Sequence, residues 1–368
     1  MVNSTKASAA LAASGIITGV EPQSAPQPAK PNAYLDALAL IDQEMRSVDT
    51  VIQNRLSSEV VLVEQVAQYI IQGGGKRMRP ALLLLCAKAV NAHFLAEKTQ
   101  CSGASPASPA VFAQLASIVE FIHTATLLHD DVVDDSGMRR ARETANAIFG
   151  NAASVLVGDF LYSRAFQMMV EIGAMPVMAV LAEATNVIAE GEVLQLMNCQ
   201  DPNVDEQRYL QVIRYKTAKL FEAAACLPVV AQQGPAALAE AFSAYGRHLG
   251  TAFQLTDDAL DYSGSEDLLG KRLGDDLREG KPTLPLIYLL REGSPAEQAM
   301  VRSAIAAPDA ASLDQIVSLV KGSPALAYTR QAAMQECALG RAALAMVADS
   351  AYKSALLGLL DFVLEREA

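Results

Sequence analysis

Two stretches of this 368-residue sequence place aspartates at a spacing that can hold a cation: Asp130-Asp131-x-x-Asp134 and Asp257-Asp258-x-x-Asp261. In a helix, residues i and i+4 share a face and i+1 lies about 100° round, so each triplet gathers its oxygens into one cluster. Hard divalent cations take oxygen ligands, and Mg²⁺ typically joins one or two carboxylates to substrate phosphates while keeping waters. Two such clusters facing each other would clamp a diphosphate through shared metals. The bland alternative is a pair of solvated helix ends. With 20 Asp in the chain, chance places D-D-x-x-D about 0.06 times in a sequence of this length. Two copies on otherwise apolar backgrounds therefore favour metal, because clustered like charges are unfavourable without a counter-ion.

Cations stand close by. Gly73-Gly74-Gly75-Lys76-Arg77-Met78-Arg79-Pro80 puts three of them within four residues, and Arg139-Arg140 follows directly behind the first acidic cluster. Phosphate recognition is their natural work, Arg giving bidentate contacts, although an isolated surface Lys is more often than not merely solvated. The glycine run is not a P-loop, since it lacks the G-x-x-x-x-G-K-[ST] spacing and follows a helix. Among only four His, His129 beside the first cluster reads as structural rather than catalytic.

The elements that must position these groups are helices. Leu35, Leu38, Ile41 and Met45, then Val61, Val66, Ile70 and Ile71, recur at spacings of three to five. No stretch alternates like a strand, so no sheet is predicted. The pattern predicts an all-α fold with long helices near 34–55, 58–72, 79–90, 110–135, 151–172, 176–199, 206–233 and 235–262. Gly73-Gly74-Gly75 should stop the second of these through left-handed backbone, and residues 101–109 read as a loop. Phe112, Leu115, Ile118, Val119 and Ile122 form an apolar stripe running into the first acidic cluster, and Phe253 and Leu255 lead into the second. Carboxylates at a helix C-terminus oppose its dipole, so both placements call for a compensating cation.

Composition sets the surroundings. The chain is 51% hydrophobic and 19% charged, enough for a large core. A net charge of -12 argues against nucleic acid or an anionic membrane as partner. Five Cys without paired spacing suggest neither disulfides nor zinc, and fit a reducing cytoplasm. No apolar run reads as a transmembrane segment. Residues 1–33, rich in Ala, Ser and Pro, read as a disordered tail before a domain spanning 34–368.

Taken together, these motifs resemble the trans-polyprenyl diphosphate synthases. Both aspartate motifs, the second preceded by Phe253-Gln254, Gly74 to Pro80, Lys216-Thr217, and Gly274 to Thr283 fall in that family's order. The similarity spans about Tyr34 to the C-terminus and is greatest to the bacterial octaprenyl branch. It implies a single large helical bundle of the isoprenoid synthase type with a central cavity, working as a homodimer. It also implies that Asp130, Asp131, Asp134, Asp257, Asp258 and Asp261 bind Mg²⁺ bridging to an allylic diphosphate, which Arg139, Lys216, Lys271 and Lys281 would hold. Lys76, Arg79 and Arg140 would hold isopentenyl diphosphate, and Thr217 and Gln254 would line the allylic cation.

The implied activity is head-to-tail condensation giving a long chain, octaprenyl diphosphate for quinone side chains, with the released diphosphate taking the final proton. Product length would be set along the helix before Asp130, where Ala125 is small, with Met168 or Met169 as the next obstruction. One departure is Phe112, where the family usually has a His or Gln contacting isopentenyl diphosphate. Gln114 or His93 would substitute, or two cations suffice. A class I terpene cyclase is disfavoured by Asp257-Asp258-x-x-Asp261 and the Lys76/Arg79 block. A non-catalytic subunit of a heteromeric synthase is disfavoured by the presence of all six aspartates.

Overall fold

The structure is a computed structural model in which residues 33–73, 75–97, 107–139, 142–264, 273–308 and 312–366 are described. The 1–33 tail (Ala33 apart), most of the 101–109 loop, Gly74, Arg140 and Lys271 fall outside them. Helices dominate, as the three-to-four periodicity predicts. In order they are α1 (Ala33–Ala39), α2 (Asp42–Leu56), α3 (Val61–Gln72), α4 (Met78–Ala96), α5 (Pro109–Val133), α6 (Ala145–Phe149), α7 (Asn151–Ile172), α8 (Met175–Asn198), α9 (Glu206–Ile213), α10 (Lys219–Ala231) and α11 (Ala236–Ser263). Helices Leu284–Glu292, Pro295–Ala306, Leu313–Gly322, Ala325–Ala343 and Ala351–Leu364 follow.

The central helix α5 starts with Pro109 at its first turn, where the missing N–H costs nothing. Its apolar stripe is fully used: Phe112, Leu115, Ile118, Val119 and Ile122 are all buried, as is Leu128 beyond them, and the helix packs mainly on α7, α4 and α2. By length and composition α5 could cross a membrane, which the sequence reading did not anticipate, but 67% of its apolar window is buried in the fold. It is the core helix of the bundle. The second aspartate helix, α11, packs between α10 and Ala325–Ala343.

Several boundaries differ from the sequence reading. The segment 34–55 is two helices, broken where Ile41 leaves helical backbone and buries its side chain. Gly73 closes α3 in right-handed conformation, its N–H reaching the Tyr69 and Ile70 carbonyls. Positive φ falls instead on Gly75 (154°) and on Arg77 (44°), a strained position for a side chain, where Arg77 pairs with Asp49. The 206–233 helix is interrupted by a π-turn, Arg214–Ala218. A two-residue antiparallel ladder, β1 (Met138–Arg139) with β2 (Arg142–Glu143), also exists; it is too short to leave an alternating pattern.

Candidate active site

The α5 and α11 triplets open on one cavity of about 880 Å³. Asp130, Asp131, Asp134, Asp257 and Asp258 line it. Asp261 is fully buried and outside that lining. Its carbonyl accepts from Gly274 N–H at 2.9 Å and its Oδ2 from Asp276 N–H at 3.3 Å. It thereby folds the Gly274–Thr283 segment back across the end of α11.

That segment delivers Lys281 to the first cluster, with Nζ 2.7 Å from Asp134 Oδ2 and 2.7 Å from Glu279. The β1–β2 ladder turns Arg139 back onto Asp131, whose Oδ1 accepts from Nε at 2.8 Å and lies 2.7 Å from Nη2. The π-turn brings Lys216 Nζ to 3.5 Å from Asp130 and 2.5 Å from Glu192. The charge stacked against the α5 dipole is thus met by three cations from three other segments. Lys216 and Lys281 arrive with acids of their own, so two of these three groupings contain an additional carboxylate.

Burial shifts several of these groups. It pushes the Asp131 carboxyl up, with Arg139 pulling it down. It pushes Glu192 up to about 7 against the Lys216 attraction, and Asp258 up likewise to about 7. Asp258 accepts from Tyr209 O–H at 2.5 Å and Gln254 Nε2 at 2.7 Å, which pull the other way. For Lys281, burial alone would lower the ammonium, but Glu279 and Asp134 outweigh it and hold it above the ordinary lysine range. Thr217 Oγ1 donates to Gln254 Oε1 at 2.9 Å, completing a chain from the π-turn to Asp258.

The other half of the cavity is basic and seated on rings. Lys76 Nζ lies 5.0 Å from the Phe362 centroid, and the Arg79 and Arg366 guanidinium carbons 4.5 Å from Phe221 and 4.4 Å from Phe253. Such contacts hold a cation without neutralising it. Arg79 Nη1 is 3.0 Å from His123 Nε2, and Arg366 Nη2 is 3.1 Å from Asp257 Oδ1.

His123 stands where the sequence reading looked for another residue. Phe112 is core, and neither Phe112, Gln114 nor His93 lines the cavity. The His93 ring accepts from Ala348 N–H at 3.1 Å. His123, seven positions before Asp130, sits two turns back on the same face, a signal available in the sequence. Glu192, Tyr209 and Arg366 also line the cavity and carried no local signal. His129 bonds the Val155 carbonyl and stacks on Tyr162. Ala125, Met168 and Met169 are fully buried, and the cavity reaches Thr124 and Thr126 but not these three.

The carboxylates fit a divalent metal of a particular kind. Among the described residues no three metal-binding side chains are gathered tightly enough to hold an ion alone. Mg²⁺ needs no such cage, since phosphate oxygens and waters complete its octahedron. Among the described residues, the buried Asp131 Oδ2 has no hydrogen-bond partner, an arrangement unfavourable by about 1–3 kcal/mol unless an electrophile answers it. The donor set is oxygen only on this side of the cavity, which suits a hard cation.

The polyprenyl synthetase family profile matches residues 60–321. The octaprenyl diphosphate synthase of Escherichia coli K12 is 47% identical over 89% of this chain and 97% of its own. The geranyl-diphosphate-specific all-trans-nonaprenyl-diphosphate synthase of Rhodobacter capsulatus is 41% identical, over 90% and 97%. A crystal structure of a polyprenyl synthase from Caulobacter crescentus CB15, complexed with calcium and isoprenyl diphosphate, superposes with a TM-score of 0.84 at 41% identity, covering 93% of this chain and all of that one. With two aspartate helices, a lysine-bearing π-turn and a separate basic wall around one cavity, this chain belongs to the polyprenyl synthetase family and is a prenyltransferase that elongates prenyl chains.

Proposed function

We propose that the protein makes octaprenyl diphosphate for a quinone side chain, by Mg²⁺-dependent head-to-tail addition of isopentenyl diphosphate to an allylic diphosphate. The observation that carries this reading is the division of one cavity into an aspartate half and a basic half seated on aromatic rings. Two diphosphates can then be held at once, one through metal and one by cations alone.

Asp130, Asp131, Asp134, Asp257 and Asp258 are the proposed metal ligands; Asp261 serves them through the Gly274 turn. When bound, Mg²⁺ supplies charge stabilisation for the departing diphosphate. Arg139, Lys216, Lys281 and Lys271 are proposed to neutralise the same charge, preorganised donors being the largest source of rate in such chemistry. Lys76, Arg79 and Arg140 hold isopentenyl diphosphate; His123, bonded to Arg79, and Arg366 line the same cavity. The Thr217 and Gln254 oxygens face the allylic carbon as positive charge develops on it. The alkene attacks, the new cation loses a proton to the released diphosphate, and the enclosed helical walls exclude the water that would otherwise trap the cation.

Ala125 and Met169 are proposed to bound the product's path. A second copy of the chain is the proposed partner, because α7 and α8 leave Leu156, Val170, Val193 and Met197 exposed. A reducing cytoplasm is the proposed location, the four described cysteines being free. Residues 1–33 are proposed as a tail outside the catalytic domain. Incubation with labelled isopentenyl diphosphate and a panel of allylic primers should yield octaprenyl diphosphate. A cyclic hydrocarbon, or no incorporation, would overturn the reading.

A further inference from the structure

The π-turn that carries Lys216 and Thr217 is clamped from three sides. A Cβ at Gly191 of α8 would lie 2.6 Å from Lys216 N, and one at Gly250 of α11 would lie 2.6 Å from Ala218 Cα. Only glycine allows either approach. The third clamp is a carboxylate: Glu336, on the helix Ala325–Ala343 and 8% exposed, accepts from Arg214 Nη2 at 3.0 Å. Its other oxygen lies 2.6 Å from His248 Nδ1. Because a carboxylate only accepts, Nδ1 must be the donor.

This trio lies outside the cavity lining, yet it ties together the parts that build the site. Arg214 is the first residue of the π-turn, and His248 lies on α11 nine positions before Asp257. A π-turn inserts one residue into a helix and rotates everything after it, and such turns are frequent at functional sites. Here the insertion lets two consecutive residues bridge two different helices. Lys216 reaches Asp130 of α5, and Thr217 reaches Gln254 of α11. A slip of the π-turn by one position would break one of these links.

We infer that Glu336 is a positioning residue for the Lys216–Thr217 pair: by gripping Arg214 against His248 it fixes the register of the π-turn relative to the second aspartate helix. The inference rests on the proposed role of Lys216 at the allylic diphosphate. It differs from a purely structural ion pair, whose loss would lower stability and leave turnover intact.

The test compares wild type, Glu336→Gln, Lys216→Ala and the double variant, reading kcat, both KM values and Tm. Glu336→Gln should lower kcat about 10- to 100-fold, the scale of a small misplacement from a distant mutation, with KM for isopentenyl diphosphate unchanged. The double variant should be slower than Lys216→Ala by much less than the factor that Glu336→Gln gives alone, the remainder coming through Thr217, since groups acting through one another are not additive. Arg214→Lys keeps the charge but loses the planar fork and should repeat the non-additive kcat loss should Glu336→Gln fold poorly. A loss of Tm alone, or a kcat loss that multiplies with that of Lys216→Ala, overturns the inference. If Lys216→Ala is slow while both clamp variants are fast, the inference fails and the proposed function stands. If wild type incorporates no isopentenyl diphosphate, the proposed function itself fails.

Discussion

Lys281 Nζ lies 2.7 Å from Asp134 Oδ2, a contact between residues 147 positions apart. It lets the segment after α11 close over the first aspartate cluster, with Asp261 pinning that segment from below. Lys281 thus lies beside Asp134, a proposed metal ligand, and is placed to neutralise that carboxylate or the proposed diphosphate.

Lys281→Ala should therefore retain the fold and lose roughly 10²-fold in kcat, the scale of removing one preorganised donor. Steady-state rates at saturating substrates check this. A near-wild-type rate would show that the contact only closes the segment.

Asp131→Asn keeps an oxygen for Arg139 but removes the charge and the unpartnered Oδ2. Turnover should fall by about 10²–10³-fold, and the Mg²⁺ concentration for half-maximal rate should rise. An unchanged Mg²⁺ dependence would take Asp131 out of the metal site.

Much of this site was legible in the sequence, because short spacing fixes it. D-D-x-x-D places oxygens on one helical face, and the stripe from Phe112 to Ile122 marks a buried helix leading to them. The signals that failed have physical reasons. One inserted residue at Arg214–Ala218 leaves the apolar period almost unchanged, so the π-turn was invisible. Glu336 lies 122 positions from Arg214 and Arg366 lies 109 from Asp257, and no local pattern encodes such pairs. The pairing of Arg139 with Asp131, eight positions earlier, depends on the short β1–β2 ladder that turns the chain back, and that ladder leaves no alternating pattern. His93 lies outside the cavity, whereas His123 lines it; the spacing of His123 from Asp130 is legible in the sequence, but its meeting with Arg79, 44 positions away, is set by tertiary packing.

Ala125→Phe tests the product path. Ala125 is fully buried between two residues that line the cavity, so a ring there either fills the path or overpacks the α5–α7 contact at about 1–3 kcal/mol. The expected outcome is a modest loss of Tm, a brisk first condensation and sharply shorter products by chain-length analysis. Full-length product from the folded variant would move the path elsewhere.

Glu336 gives a pH dependence. Burial pushes its carboxyl up, but the hydrogen bonds from His248 and Arg214 outweigh that and hold it below its ordinary 4.5. A depressed carboxyl stabilises the fold above its unfolded pKa and loses that contribution as pH falls through the folded value. The Tm gap between wild type and Glu336→Gln should narrow as pH falls below 4.5. A gap independent of pH down to the acid transition would contradict this.

The central claim, that both aspartate helices hold one diphosphate through metal, is tested most directly by calorimetric binding of a non-ionising allylic thiodiphosphate, with and without Mg²⁺. Wild type should bind tightly only with Mg²⁺, and Asp130→Ala and Asp257→Ala should each abolish the Mg²⁺-dependent part while keeping wild-type circular dichroism. Equal binding with and without Mg²⁺, or loss in only one of the two variants, would contradict the account.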